Sequence, residues 1–242
     1  MEVLGIDIGG SGMKAAIVDL ENGEFISERK RFQTPKPATP EAMMETVIQL
    51  QNHFDWSGSI GCGFPAAIID GIVKTASNID KSWIEKPLAN MIKKATGCDT
   101  RVMNDVDVAG LAEMRFGAGK GLKGTILVLA LGSGIGSALF HNQQLMPNTE
   151  LGHIQFRGDK AEASVANSIR EKEDLSWEVW GKRLNSYLVE VHKLVWPDLI
   201  IIGGGVSKKF QNYQKFIDEN LKVIPAELRN HAGIVGAASQ FL

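Results

Sequence analysis

The feature that most constrains this chain is a glycine-rich turn between two apolar segments near its start. Residues 3–8 and 13–18 have the composition of buried strands, and Gly9-Gly10-Ser11-Gly12 lies between them. Because glycine has no Cβ, such a turn lets backbone N–H groups approach an anion closely. The pattern predicts a phosphate cradle, with Asp7 at the end of the first strand placed to hold a metal-bound water. An ordinary hairpin with a glycine turn is the alternative interpretation.

The order of these glycines excludes two common nucleotide-binding motifs. In the dinucleotide fingerprint a helix follows the glycines, whereas residues 13–18 predict a strand. A P-loop carries Gly-Lys followed by Ser or Thr, which this segment lacks. The turn therefore predicts a different class of phosphate site.

Composition places the chain among folded globular proteins and excludes several partners. Its 242 residues are 44% hydrophobic and 22% charged, enough to bury a core in two lobes. A net charge of −2 gives no general attraction to nucleic acid or to a membrane surface. Cys62 and Cys98 form no paired motif, which argues against disulfides and a cysteine zinc site. The chain starts without a secretory signal pattern, so we expect a cytoplasmic protein.

Alternating strand and helix patterns predict an α/β protein of two lobes. Residues 1–34 predict an antiparallel meander whose third strand covers 25–32. Further strands are predicted at 60–64 and 101–104, and helices begin after Thr39 and at 84–96. These segments form a predicted N-terminal lobe of residues 1–104.

A second lobe repeats the opening theme. Residues 125–131 and 135–140 predict strands around Gly132-Ser133-Gly134, and a third glycine turn, Gly203-Gly204-Gly205, follows a strand at 199–202. We predict a C-terminal lobe of residues 105–225, with a C-terminal helix at about 226–242 that packs back onto the first lobe.

Five segments, in order and spacing, resemble the ROK family of sugar kinases within the actin-like ATPase superfamily. They are the Asp7 turn, Asn104-Asp105, residues 131–136, Glu150-Leu151-Gly152-His153 and Gly203-Gly204-Gly205. Longer phrases at residues 34–40, 78–83 and 147–153 are similar to those of the polyphosphate-using glucokinases of that family. The resemblance covers nearly the whole chain.

This resemblance implies a fold and an activity. The fold is the two-lobed actin-like ATPase (ribonuclease H-like) α/β architecture, with the active site in the interlobe cleft. The activity is transfer of a phosphoryl group from inorganic polyphosphate to the 6-hydroxyl of glucose with Mg²⁺, in a homodimer. The alternatives are an ATP-dependent hexose kinase acting on glucose, mannose or an amino sugar, and a non-catalytic sugar-binding regulator. Regulators of the family carry an N-terminal helix-turn-helix domain.

The resemblance also implies roles for individual residues. Asp105 matches the general base that accepts the proton of the sugar hydroxyl, although an acid at this position can also simply cap a helix. The residues implied to bind the sugar are Asn78, Asn104, Asp105, Glu150 and His153. Glu150 and His153 stand three residues apart, so a metal site is the alternative for that pair.

The donor site is implied along the glycine turns. The residues implied to bind the phosphate donor are Asp7, Gly9, Gly10, Ser11, Gly12, Lys14, Lys81, Gly132, Ser133, Gly134, Gly204 and Gly205. Lys14 and Lys81 would belong to a basic track for polyphosphate, against the alternative that they are solvated surface lysines. Two positions depart from the family pattern, because Ala66 and Ser133 stand where glycine and threonine are usual.

Overall fold

The computed structural model describes residues 1–77 and 79–242, so Asn78 lies outside the described residues. The chain divides into two compact units. The first comprises Met1–Phe116 and His231–Leu242, and the second comprises Gly117–Asn230. Helix Asp105–Phe116 thus lies with the first unit, whereas the sequence-based boundary placed it in the second lobe. Its contacts with the C-terminal helix of the first unit explain the difference.

The first unit is built on one mixed sheet with helices on its faces. Its elements are β1 (Glu2–Gly9), β2 (Gly12–Asp19), β3 (Glu24–Phe25), β4 (Lys30–Phe32), α1 (Pro40–His53), β5 (Ile60–Phe64), β6 (Ile68–Ile69), β7 (Ile72–Val73), α2 (Leu88–Thr96), β8 (Thr100–Asn104), α3 (Asp105–Phe116) and, after the second unit, α7 (Ala232–Ala238). The sheet order is β3-β2-β1-β5-β8, and β4 also pairs with β2.

This sheet brings several strand ends to one edge. Strands β1, β5 and β8 run parallel, whereas β2 returns antiparallel to β1. Asp7 is in register with Gly63, and Phe64 with Asn104. The carboxyl ends of parallel strands are where ligands bind in open α/β sheets. On one face Leu4, Ile6 and Ile8 pack into a core with α1 and α2, while α7 covers the other face of β1 and β5.

Two elements of this unit differ from their predicted form. The predicted third strand at 25–32 is two short strands, because Ser27 Oγ interrupts the ladder by accepting a hydrogen bond from Ile17 N at 2.9 Å. The helix predicted at 84–96 begins only at Leu88. Glu85 has a φ of +63°, and Pro87 disfavours helical geometry at the residue before it.

The second unit has its own five-stranded sheet. Its elements are β9 (Thr125–Leu131), β10 (Ile135–His141), β11 (Gln144–Met146), β12 (Gln155–Phe156), β13 (Asp159–Lys160), α4 (Glu162–Val165), α5 (Asn167–Lys172), α6 (Trp177–Val195), β14 (Leu199–Gly203) and β15 (Val223–Pro225). The sheet order is β11-β10-β9-β14-β15, with β9, β14 and β15 parallel.

Helix α6 supplies the main apolar cover of this sheet. Trp180, Leu184 and Leu188 are fully buried and pack with alternate residues of β9 and β14. The sequence analysis did not predict the short elements from β12 to α5, because their apolar residues do not repeat at a regular spacing over enough positions. Among the described residues, none of the helices combines the length and apolar composition that a membrane span requires.

Candidate active site

Two side chains, one on β4 and one just after it, donate hydrogen bonds to the first glycine turn. Gly9 and Gly12 face each other in the β1–β2 ladder, so Gly10 and Ser11 form the exposed tip. The Thr34 hydroxyl donates to Gly9 O at 2.5 Å, and Arg31 Nη2 donates to Ser11 O at 2.9 Å. Two turn carbonyls are therefore satisfied within the protein.

Charged side chains line the sheet beside this turn. Asp7 is in register with Lys14 on β2, and Lys14 with Arg31 on β4. Residues in register on adjacent strands point to the same face, so the three side chains form one row. Lys14 Nζ lies 3.2 Å from Asp7 Oδ2. A Cβ on Gly12 would lie 2.4 Å from Arg31 Nε, so the glycine makes room for the guanidinium.

Asn104 and Asp105 lie at the junction of β8 and α3. Asn104 Oδ1 accepts hydrogen bonds from Val106 N at 2.8 Å and Asp107 N at 3.1 Å. Its amide group donates to Ala66 O at 3.1 Å. Asn104 therefore caps the helix, and Asp105 is the first residue of α3, where the helix dipole favours negative charge. Asp105 also lies beside Gly63, and Gly63 is the residue on β5 that is in register with Asp7.

Lys81 lies on a short 3₁₀ helix, Lys81–Trp83. Asp80 Oδ1 caps it by accepting from Ser82 N at 2.8 Å. The buried Trp83 anchors it, because its indole N–H donates to Ala38 O at 2.8 Å. Lys81 itself is exposed. Asn78, which the family resemblance assigns to the sugar site, lies outside the described residues.

The second glycine turn joins β9 and β10. Gly132 O accepts from Ser168 N at 3.0 Å, and Ser133 O accepts from the Ser168 hydroxyl at 2.7 Å. The third turn lies next to it, because β14 pairs with β9 and a Cβ on Gly204 would lie 2.4 Å from Leu131 O. Gly204 also has a φ of +79°, which glycine adopts without strain. The structure thus brings the second and third turns together.

Glu150 and His153 are held against the start of β10. The Ser137 hydroxyl donates to Thr149 O at 2.7 Å and accepts from Leu151 N at 3.0 Å, which fixes the backbone on both sides of Glu150. A Cβ on Gly152 would lie 2.1 Å from Ile135 O, so only glycine lets this segment pack there. His153 Nδ1 lies 3.9 Å from Glu150 Oε2.

Glu162, at the start of α4, completes this cluster and was missed by the sequence analysis. Its Oε1 lies 3.4 Å from His153 Nε2, and its Oε2 accepts from Ile135 N at 3.4 Å beside Gly134. The surrounding segment is an ordinary helix start, so sequence alone predicts a dipole-favoured surface acid. No local signal distinguishes it as a site residue.

The cluster perturbs the acidity of one carboxyl group. Burial raises the pKa of Glu150, the Glu162 carboxylate adds to that rise, and His153 and Lys160 oppose it. Each of the three side chains remains partly exposed, with 31 to 44% of its surface accessible. The arrangement offers a solvent-reachable set of carboxylate and imidazole groups, which suits hydrogen bonding to sugar hydroxyls.

The described residues show no protein cage for a metal ion. Within residues 1–77 and 79–242, no three or more His, Cys, Asp or Glu side chains are arranged to hold one. Mg²⁺ does not need such a cage, because it commonly retains its waters and binds through one carboxylate and substrate phosphates. Asp7, a single carboxylate beside the first glycine turn, fits that mode.

Known proteins resemble this chain along its whole length. The pattern of the ROK family matches residues 3–168. The polyphosphate glucokinase of Mycobacterium tuberculosis (strain CDC 1551 / Oshkosh) is 44% identical over 235 residues, which are 97% of this chain and 89% of that protein.

Two solved structures resemble this chain over nearly its full length. The inorganic polyphosphate/ATP-glucomannokinase from Arthrobacter sp. strain KM is 42% identical, with a TM-score of 0.93 over 99% of this chain and 97% of that one. A ROK family glucokinase from Streptomyces griseus, solved with glucose and AMPPNP, is 21% identical with a TM-score of 0.84 over 99% of both chains, a likeness of fold alone. The predicted actin-like ATPase fold is therefore confirmed. Since the family pattern spans more than half of the chain and the M. tuberculosis relative aligns with nearly all of it, this protein belongs to the ROK family.

Proposed function

We propose that this protein is a kinase that transfers a phosphoryl group from inorganic polyphosphate to the 6-hydroxyl of glucose, releasing glucose 6-phosphate. The observation that carries this proposal is the 44% identity to a polyphosphate glucokinase over 97% of the chain. The glucomannokinase structure supports the same donor and makes ATP and mannose the second donor and acceptor to test.

Asp105 is the proposed general base. It accepts the proton of the 6-hydroxyl as that oxygen bonds to the terminal phosphorus, while the bond from phosphorus to the rest of the chain breaks. Polyphosphate leaves one phosphate shorter. Asn104 caps α3 and bonds to Ala66 O, so it positions Asp105 at the end of β8. The second N–H of its amide is available to a sugar hydroxyl.

Glu150, His153 and Glu162 are proposed to hold the sugar. Glucose presents hydroxyls that both donate and accept, and the cluster offers two carboxylates and an imidazole at contact distances of 3.4 and 3.9 Å. Ser137 and Gly152 fix the backbone that carries Glu150 and His153. Asn78 is assigned to the same set by family resemblance.

The donor is proposed to bind along the three glycine turns with Mg²⁺. Bound Mg²⁺ would neutralise charge that develops on the phosphate oxygens. Asp7 would hold a water of that ion, and Lys14 keeps the Asp7 carboxylate in place through their 3.2 Å contact. The remaining assigned groups are the backbone and hydroxyl donors of residues 9–12, 132–134 and 204–205, with Lys81.

A donor panel tests the proposal. Purified protein is given glucose or mannose with polyphosphate, ATP or GTP in parallel, with and without Mg²⁺. The sugar 6-phosphate formed is measured, and glucose binding is measured by calorimetry. We expect product from polyphosphate that depends on Mg²⁺. Product from ATP alone would replace the proposal by an ATP-dependent hexose kinase, and glucose binding without product from any donor would indicate a sugar-binding regulator. Light scattering on the same protein tests the expected homodimer.

A further inference from the structure

Asp7, Lys14 and Arg31 form the charged row beside the first glycine turn. Within the part of the chain that the structure describes, Arg31 is the cation of this row that has no acidic partner. Asp7 and Lys14 pair with each other at 3.2 Å. Arg31 stands in register with Lys14 and makes no ion pair within residues 1–77 and 79–242. Like charges directly opposite on adjacent strands destabilise a sheet. The row therefore carries an excess positive charge that an anion at the turn would neutralise.

The guanidinium is held at the turn rather than free in solvent. Arg31 Nη2 donates to Ser11 O at 2.9 Å, and the missing Cβ of Gly12 gives the group its place. Phe32, the next residue, packs against the apolar core and anchors β4. A guanidinium has five N–H donors in a planar fork, so one bond to Ser11 leaves others for a phosphate. The side chain as a whole is exposed.

We propose that Arg31 binds the phosphate chain of the donor at the first glycine turn, an inference that rests on the proposed function. Each internal unit of polyphosphate carries a negative charge, and planar donors recognise adjacent phosphate oxygens in pairs. Lys14 is paired to Asp7, so Arg31 is the cation of this row that is open to the donor. Its bond to Ser11 also couples donor binding to the geometry of the turn.

The competing role for Arg31 is a clamp that only shapes the turn. Three substitutions separate the roles. Arg31→Gln removes the charge and keeps an amide donor for Ser11 O, whereas Arg31→Lys keeps the charge and loses the planar fork. Arg29→Ala is the matched control, because Arg29 is an exposed cation two residues away that makes no hydrogen bond or ion pair within the described residues.

The experiment measures KM for polyphosphate at several salt concentrations, KM for glucose, and the melting temperature. For Arg31→Gln we expect polyphosphate KM to rise roughly tenfold or more, with unchanged glucose KM. We also expect a flatter salt dependence, because fewer counterions are exchanged when the polyanion binds. Arg31→Lys should have a polyphosphate KM and a salt dependence between those of Arg31→Gln and wild type. Arg29→Ala should match wild type in both quantities.

Three outcomes would each overturn one of two claims. Wild-type polyphosphate KM and salt dependence in Arg31→Gln would reject Arg31 as a donor contact and leave the clamp. A fall in melting temperature with unchanged KM values would reject it in the same way. Absence of any product from polyphosphate in the wild type would instead reject the proposed function itself.

Discussion

The two units present similar glycine turns with opposite electrostatic surroundings. In the first unit, the turn at residues 9–12 is held by Arg31 and Thr34 and lies beside Lys14. In the second, the turn at residues 132–134 is held by the uncharged Ser168 and lies beside the Glu162 carboxylate. The glycine turn of the first unit therefore lies beside cationic side chains, and the glycine turn of the second unit lies beside an acidic one.

This difference indicates a division of labour. On electrostatic grounds we expect a phosphate chain to bind more readily at the first turn than beside the carboxylates near the second, and we expect neutral sugar hydroxyls to bond to Glu150, His153 and Glu162. We therefore expect changes in the first unit to act on transfer and donor binding, and changes around Glu150 to act on the sugar. The donor role predicted for Gly132, Ser133 and Gly134 is the part of this scheme most open to test.

The largest expected effect comes from Asp105→Asn. The amide keeps the shape of the side chain but cannot accept the hydroxyl proton, so we expect kcat to fall by about 10² to 10⁴-fold. Glucose binding by calorimetry should stay within a few-fold of wild type. Asp99→Asn, an exposed acid of the same unit whose ion pair with Lys93 is 3.4 Å, is the control and should keep its rate. A folded Asp105→Asn protein with near wild-type kcat would remove Asp105 from the mechanism.

The next largest effect is expected in the second unit, at Glu150 and His153. Glu150→Gln and His153→Ala each remove a charged or ring acceptor of the cluster, so we expect the Kd for glucose to rise roughly tenfold or more while polyphosphate KM changes little. Calorimetry gives the first quantity and initial rates give the second. Glu190→Gln, on the exposed side of α6, is the matched control. If both cluster variants bound glucose normally, the sugar site would have to lie elsewhere.

Glucose affinity should also depend on pH through Glu150. Burial raises the pKa of this carboxyl. If Glu150 binds the sugar as proposed, its ionised form accepts hydrogen bonds from the hydroxyls better than its protonated form does. Affinity should therefore be complete above the raised pKa and decline as the pH falls through it, by at most about tenfold per pH unit. Calorimetry from about pH 8 to about pH 5 measures the decline. Because Glu150→Gln retains His153, Glu162 and Lys160, its flatter profile would isolate Glu150, and a profile parallel to wild type would contradict this assignment.

The sequence predicted those parts of the fold, and of the local structure around the candidate site, whose causes are local. The first hairpin with its turn is contiguous, and Asn104-Asp105 marks a strand that runs directly into a helix. The helix predicted from residue 84 starts late because Glu85 and Pro87 act through backbone geometry, which a pattern of apolar residues does not carry.

Arg31 and Glu162 were missed for a different physical reason. Arg31 reaches Ser11 across 20 residues of sequence, and Glu162 reaches Ile135 across 27. In each case strand register or helix placement brings the side chain to the turn, and neither residue belongs to a motif. The electrostatic contrast between the two turns therefore emerges only in three dimensions.

The smallest expected effects come from a matched pair of hydroxyl removals, one at each turn. Thr34→Val deletes the donor to Gly9 O, and Ser168→Ala deletes the donor to Ser133 O. The hydrogen bond from Thr34 to Gly9 O is partly buried, so its loss leaves a carbonyl that water reaches less easily, whereas the bond of Ser168 is exposed and water replaces it. We expect Thr34→Val to destabilise the fold by about 1 to 3 kcal/mol and Ser168→Ala by less than about 1 kcal/mol.

Donor kinetics of the same pair decide the role of the second turn. Thr34→Val should raise polyphosphate KM several-fold with little change in glucose KM, because the turn it supports faces the cationic row. If residues 132–134 also bind the donor, Ser168→Ala raises polyphosphate KM by roughly twofold and leaves glucose KM alone. A shift of glucose KM alone in Ser168→Ala would assign the second turn to the sugar, since Glu162 lies against Gly134 and follows any movement of that loop.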